Sequence, residues 1–467
     1  MERLIEDHTG TKHGRGAVAS LALSTLLAAL GVSIPNVALP TLAEAFSATF
    51  SAVQWVVIAY LLATTVVIVG AGRLGDALGY RKVLLAGIAI FAFGSLLCGV
   101  APALWMLIAA RAIQGAGAAI MIALSMALVR KTVADERTGR AMGLLGSMSA
   151  IGTAAGPALG GVLISGPGWR AIFLVMMPLA LIALVLAYRH LPRGVSPAQS
   201  GARPADVPGA VLLGATLAAY ALAVTLGGGA FDALNWTLLL AAIVLAAMFV
   251  RVEAIAVAPL VDPEMFRDPA LRAGLAMNAL VATVMMATLV VGPFYLSNTL
   301  GLDAAAVGLV MSVGPFISAL SGVPAGRIVD RAGAGPAVIC GLGITVAGSL
   351  ALAVLPSLLG VAGYIVALAL LTPGYQLFLA ANNTGVMNTA HEARRGVISG
   401  MLNLSRNLGL FTGASAMGAM FAYAVGTRDV AAASPEAVAA GMQVTFLIAG
   451  GLTGLALVLG LGTRSRT

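Results

Sequence analysis

The sequence predicts an all-α membrane protein: two related six-helix bundles with two further helices inserted between them. Three observations carry that expectation. First, of the 467 residues 60% are hydrophobic and only 9% are charged, with a mean hydropathy of +1.00, whereas soluble chains carry about 25% charged residues. Second, apolar stretches of bilayer-crossing length recur from one end of the chain to the other. Third, a charged, turn-forming link, Gly72-Arg73-Leu74-Gly75-Asp76-Ala77-Leu78-Gly79-Tyr80-Arg81-Lys82, returns 254 residues later as Gly326-Arg327-Ile328-Val329-Asp330-Arg331-Ala332-Gly333. Gly, Arg, Asp and Gly keep the same spacing in both copies.

The elements follow in order. Residues before Ala17 are polar and read as an irregular head. The first apolar run is too long for a signal-peptide core and lacks a cleavage site, so it reads as an uncleaved span. Fourteen spans are expected, at 17–39, 53–71, 83–101, 104–129, 139–165, 171–188, 208–226, 233–250, 273–299, 304–325, 336–355, 358–383, 395–424 and 437–461. Span 8 is among the shortest, and span 13 has room for interfacial turns. Arg189 to Pro208 is a polar Pro/Arg/Gly-rich linker and ends the first half. The domains are then a six-helix bundle at 17–190, an inserted pair at 208–252 and a second six-helix bundle at 271–461.

Lys and Arg set the orientation. With the N-terminus inside, 22 of the 26 basic residues fall in inner loops and tails, only Arg170 and Arg428 fall outside, and Arg111 and Arg406 lie within spans. This is the positive-inside asymmetry. Trp55, Trp105, Trp169 and Trp236 then sit at outer span ends, where an amphipathic ring is favoured. Both termini are expected in the cytoplasm. The net charge of +8 is accounted for by topology and does not point to nucleic acid. Cys98 and Cys340 fall in apolar runs and read as small hydrophobes, not as a disulfide or metal pair.

The repeat extends into spans 5 and 13. Gly139, Gly143, Gly152, Gly156 and Gly161 match Gly396, Gly400, Gly409, Gly413 and Gly418 at a constant offset of 257. Duplicated halves are a transporter signature, with the substrate site between them near mid-membrane. The glycines permit close helix approach, and Pro157 bends span 5.

Arg111 lies roughly 10 Å inside the outer end of span 4, and Arg406 roughly 16 Å inside the inner end of span 13. An intramembrane ionisable residue is a functional candidate; the alternative is a guanidinium that caps carbonyls between helices. Asn36, Tyr60, Gln114, Asn278, Tyr295, Gln376 and Asn403 are further candidates for a substrate cavity. In the charged link, Gly72 and Gly79 allow the turn. Arg73, Asp76 and Arg81, with Arg327 and Asp330 in the second copy, form either a gate latch or a solvated turn that only sets topology.

Gly72-x-x-x-Asp76-x-x-Gly79-x-Arg81-Lys82 resembles the loop 2–3 signature of the major facilitator superfamily. Gly152-x-x-x-Gly156-Pro157-x-x-Gly160-Gly161 resembles the span-5 antiporter signature of its drug-exporting branches, and Arg111-x-x-Gln114-Gly115-x-Gly117 the span-4 signature. Asn36-Val37-Ala38-Leu39-Pro40, Gln54-Trp55 and Trp169-Arg170 with Phe173 resemble the fourteen-span drug:proton antiporter branch. The resemblance implies the major facilitator fold and export of small amphipathic molecules by alternating access, exchanged against protons, from a bacterial inner membrane by a monomer without cofactor or metal. One position departs from it. The branch commonly has an aspartate five residues before the Asn of span 1, and here that residue is Gly31. No Asp, Glu or His lies deep in any predicted span, so proton coupling follows from the resemblance alone. The alternatives are a specific metabolite exporter or facilitator without a buried carboxylate, and a membrane sensor or enzyme. An enzyme is disfavoured because no HExxH, GxSxG, phosphate loop or metal cluster occurs. A sensor is disfavoured because neither tail holds a signalling domain.

Overall fold

A computed structural model describes residues 2–132, 135–192, 207–226, 232–256, 263–388, 395–427, 430 and 432–464. Every regular element among them is helical: α1 (Glu2–Val37), α2 (Leu39–Ala45), α3 (Phe50–Leu78), α4 (Tyr80–Val100), α5 (Leu104–Thr132), α6 (Asp135–Ser165), α7 (Ala171–Leu174), α8 (Met176–His190), α9 (Val207–Thr225), α10 (Ala233–Ile255), α11 (Pro269–Phe294), α12 (Ala304–Ala332), α13 (Ala334–Asn388), α14 (Arg395–Thr412), α15 (Gly418–Val425) and α16 (Pro435–Arg464). The head expected to be irregular is instead the start of α1. Arg203, in the predicted linker, and Arg394 lie outside the described residues.

Thirteen helices among the described residues are long and apolar enough to cross a membrane. The longest, α13, has 55 residues, which as a straight rod would be about 80 Å, far beyond a hydrocarbon core of about 30 Å. It is not straight. Gly360 takes φ 56°, ψ −132°, and the chain reverses there. The two arms pack against each other, with Gly348 against the Leu371 backbone and Gly374 against Thr345. They occupy the places of predicted spans 11 and 12.

The internal repeat is physical. Gly79 ends α3 with φ 93°, its N–H bonded to the Gly75 carbonyl at 3.0 Å. Gly333 ends α12 with φ 82°, its N–H bonded to the Val329 carbonyl at 2.9 Å. Positive φ admits glycine with little strain, so the same residue closes the same turn in both halves. The next helices repeat as well. Gly87 of α4 meets Gly117 of α5, and Gly341 meets Gly374 at the matching places in α13. Gly94 abuts Gln114; its counterpart Gly348 abuts Leu371.

The glycine rows of α6 and α14 do equivalent work. Gly152 and Gly156 admit α1 at Leu26 and Ser33, and Gly409 and Gly413 admit α11 at Ala279 and Thr283. A side-chain hydroxyl crosses each contact: Ser33 Oγ donates to the Gly152 carbonyl and Thr283 Oγ1 to the Gly409 carbonyl, both at 3.1 Å.

The inserted helices hold each other through Asn235. Its Nδ2 donates to the carbonyls of Ala223 and Leu226, each at 2.7 Å, while Asp232 caps α10. Helix α9 touches both halves: Trp55 Nε1 of α3 donates to Thr225 Oγ1 at 3.2 Å, and Tyr220 packs on Phe411 of α14. Helix α10 lies outermost, with Leu240, Ile243 and Val250 exposed as a lipid-facing surface requires. Glu253, expected beyond span 8 in an inner loop, is instead a residue of α10 and is only 2% exposed.

Candidate functional site

Two ends of the bundle differ. One carries the arginine-rich links at Gly79 and Gly333; the other carries the tryptophans. The cross-half approaches fall at the tryptophan end. Phe50 of α3 packs edge-on against Phe294 of α11 at 4.8 Å and Phe421 of α15 at 5.3 Å. Gln54 Nε2 donates to the Ala414 carbonyl at 3.1 Å. Gly161 of α6 meets the Ala304 carbonyl of α12, and Gly308 meets the Pro157 carbonyl. Helices approach this closely only where side chains are absent. Toward the arginine-rich end the same rows are unpacked: a side-chain carbon added at Gly143, Gly146 or Gly400 would meet no atom within 4 Å. The two halves are therefore closed together at one end and apart at the other.

The predicted cavity residues fall into two clusters. The first is sealed inside the first half. Arg111 is fully buried. Its Nε donates to the Val56 carbonyl at 2.8 Å and its Nη1 to Gln114 Oε1 at 2.5 Å. Gln114 Nε2 in turn donates to Ser95 Oγ at 2.7 Å. The guanidinium lies 4.1 Å from the Tyr60 ring centre and 5.9 Å from that of Phe173. Such cation–π contacts gain strength when desolvated. Nη2 has no hydrogen-bond partner among the described residues. The guanidinium thus caps a carbonyl of α3 in this form. The Tyr60 hydroxyl donates to the Ala28 carbonyl at 3.0 Å, and a side-chain carbon at Gly31 would stand 2.8 Å from that hydroxyl. Gly31 and Arg111 are thus linked through one tyrosine.

The repeat shows what is special in this cluster. At the offsets of 254 and 257 that relate the halves, Tyr60 corresponds to Gly314, Arg111 to Leu368, Gln114 to Leu371 and Ser95 to Ser349. Leu371 makes the same close contact to Gly348 that Gln114 makes to Gly94. The fold is therefore built without the arginine network in the second half.

The second cluster lines an open pocket of ≈ 160 Å³ between α11, α13 and α14, toward the arginine-rich end. It contains Asn278, Asn403 and Arg406, all anticipated from sequence, together with Asn383 and Ser399, which were not. Asn278 Nδ2 donates to the Leu402 carbonyl at 2.8 Å and ties α11 to α14. Asn403 Nδ2 donates to the Ser399 carbonyl at 3.0 Å. Arg406 is exposed into this space.

The remaining candidates lie in neither cluster. Asn36 is buried, its Nδ2 bonded to the Val32 carbonyl at 2.7 Å. Tyr295 stacks on Tyr364 with ring centres 6.4 Å apart. Gln376 bonds Ser318 Oγ. In the charged link, Asp76 accepts a short hydrogen bond from the Tyr80 hydroxyl. Arg81 donates to the Tyr188 carbonyl at 2.6 Å and lies over the Tyr188 ring. Arg327 and Asp330 are exposed. Among the described residues no group of three or more His, Cys, Asp or Glu is placed to hold a metal.

Comparison with known proteins accords with this architecture. The profile of the Major Facilitator Superfamily matches residues 21–414. The chain is 29% identical over 402 residues to the riboflavin transporter RibZ of Clostridioides difficile, covering 86% of this chain and 87% of that protein. It is 31% identical over 402 residues to the multidrug resistance protein Stp of Mycobacterium tuberculosis, covering 84% and 73%. In fold it is similar to the crystal structure of a bacterial homologue of the human lysosomal transporter Spinster, in an inward-facing, unoccupied conformation. The TM-score is 0.68 at 15% identity, covering 96% of this chain and 98% of that one. A helical bundle with duplicated halves and the two signature links, matched by one family over most of its length, has one reading: the chain is a membrane transporter that belongs to the Major Facilitator Superfamily.

Proposed function

We propose that the chain exports small amphipathic organic molecules of the drug or antibiotic class by alternating access, as a monomer in a bacterial inner membrane with both termini in the cytoplasm. The asymmetry of the two ends carries this reading. The halves are packed at the tryptophan end and apart at the arginine-rich end, where the polar pocket lies. By the positive-inside rule the open end faces the cytoplasm, so this form takes up substrate from inside. Rocking of one half against the other then supplies the second state. The cross-half seam of α6 and α12, where Gly161 meets Ala304 and Gly308 meets Pro157, is the surface on which the halves move. The links at Asp76 and Asp330 act as latches when the inner end closes. Likeness to Stp supports a drug-like cargo.

Exchange against protons is the driving force the family resemblance supplies. Arg111 and its partners, which the second half folds without, are assigned a part in the transport cycle. A specific metabolite exporter without buried-acid coupling is the second reading. It is favoured by Gly31 at the expected acidic position and by the likeness to RibZ.

A drug-susceptibility panel in an efflux-deficient host, followed by transport in proteoliposomes under an imposed pH gradient, tests both. Export of several unrelated drugs driven by the gradient is the expected result. Export of one compound, indifferent to the gradient, would establish the second reading instead.

A further inference from the structure

The pocket at the open end of the second half has a composition that selects a ligand. Its polar wall is Asn278, Asn383, Ser399, Asn403 and Arg406. The amides and the hydroxyl are neutral, and the one charge is positive. Leu379 and Met387 supply an apolar wall beside it.

Size limits what enters. At ≈ 160 Å³ the pocket takes one polar group and a short stem. Drug-sized sites need roughly 300–1,000 Å³. The pocket is therefore a subsite for one end of a larger molecule.

The polarity is not a requirement of the fold. At the offset of 257, Arg406 corresponds to Ser149, Asn403 to Gly146, Ser399 to Met142 and Asn383 to Met126. The first half carries no matching set of amides and guanidinium at these positions. Arg406 also differs from Arg111: one guanidinium is sealed among carbonyl, amide and rings, the other is exposed and lines the pocket.

We propose that this pocket binds the carboxylate of an amphipathic organic acid, with its apolar stem against Leu379 and Met387. This deepens the exporter reading and rests on it. The planar fork of Arg406 pairs with both carboxylate oxygens at once, which an ammonium cannot do as well. Asn403, which spends one N–H on the Ser399 carbonyl, keeps a second for the bound oxygen. Asn278 fixes the floor by joining α11 to α14. Cations are repelled from the same place.

The test uses three matched probes: 1-naphthaleneacetate, 1-naphthaleneacetamide and (1-naphthylmethyl)trimethylammonium. Each is titrated calorimetrically into the full-length protein in phosphatidylcholine nanodiscs. The carboxylate should bind at least about tenfold more tightly than the amide, and the quaternary ammonium most weakly. Arg406→Gln should abolish the preference, bringing the carboxylate down to the level of the amide. Arg406→Lys should keep part of the preference, because the charge stays and the fork goes. Equal affinities in the wild type, or a preference that survives in Arg406→Gln, would overturn the inference. If the preference is absent while neutral drugs are still exported, the subsite is refuted and the exporter stands. A carboxylate preference in a protein that exports nothing would have the opposite meaning.

Discussion

Gln54 of the first half donates to the carbonyl of Ala414 in the second, at 3.1 Å, and Gly418 is the residue that lets it approach. The carbonyl belongs to the π-turn Gly413–Met417, which interrupts the regular ladder between α14 and α15. Such turns offer backbone groups to outside partners. A side-chain carbon at Gly418 would collide with the Gln54 amide. This bond is therefore a clasp on the closed tryptophan end.

Gln54→Leu removes the clasp while keeping bulk. A hydrogen bond of this kind is worth about 0.5–1.5 kcal/mol net, so the population open at the tryptophan end should rise about two- to tenfold. Gly418→Ala should act in the same direction by pushing Gln54 away. Spin labels on the tryptophan-end loops, read by electron-electron distance measurements, report the shift. Unchanged distance distributions in both variants would remove Gln54 from gating.

Arg111→Leu copies into the first half what the second half already has at Leu368. The helix pair should therefore still assemble. Losing the guanidinium takes from the buried Gln114 Oε1 its donor, while Gln114 Nε2 keeps Ser95, at a cost of about 1–3 kcal/mol. A lowered melting temperature with normal membrane insertion is expected, together with loss of gradient-driven export. Full transport in this variant would mean that Arg111 only caps carbonyls.

How much of this was legible beforehand follows from what each residue does. Gly79 and Gly333 were legible because a positive φ demands glycine, so the sequence repeats wherever the turn repeats. Gly87, Gly94 and Gly117 repeat just as faithfully as Gly341, Gly348 and Gly374, but a match at fixed offset is easily lost among 57 glycines. The spans were legible from hydropathy, since the bilayer leaves the backbone few other solutions. Helix rotation was not. Arg111 and Arg406 are both arginines within spans, and only packing shows that one is sealed and the other open. Nor does any periodicity announce a π-turn, so Gln54 could be noted as part of a motif but not paired with Ala414. The buried Glu253 escaped for a simpler reason: α10 continues beyond the predicted border of span 8, and hydropathy marks helix ends poorly.

Orientation is open to a direct check. If the arginine-rich end faces the cytoplasm, a cysteine introduced at Asp232, at the start of α10, should react with an impermeant maleimide added to intact cells. A cysteine at Arg203 should react only after the membrane is opened. Labelling of position 203 from outside would reverse the assignment of α9 and, with it, the direction inferred for the open pocket.

Gly31→Asp asks whether the missing acid is what separates this chain from the drug:proton antiporter branch that its motifs resemble. Position 31 looks at the Tyr60 hydroxyl, and the face of the same ring carries Arg111 at 4.1 Å. An acid introduced there would draw the Tyr60 hydroxyl away from the Ala28 carbonyl and place a negative charge beside the buried guanidinium. The cluster would then hold a cation and an anion in one low-dielectric site, where each strongly stabilises the other. Protonation of the acid would break that pairing, which is the kind of event a pH gradient can drive. Export should therefore become more steeply dependent on the imposed gradient, and lipophilic cations should become better substrates. The introduced carbon is also crowded, at 2.8 Å from the hydroxyl and 3.3 Å from Phe91, so Gly31→Ala serves as the steric control. If alanine and aspartate change transport equally, the effect is crowding of Tyr60 and not charge. If only aspartate sharpens the pH dependence in proteoliposomes, the acid has been restored to a working position, and the native chain runs without it.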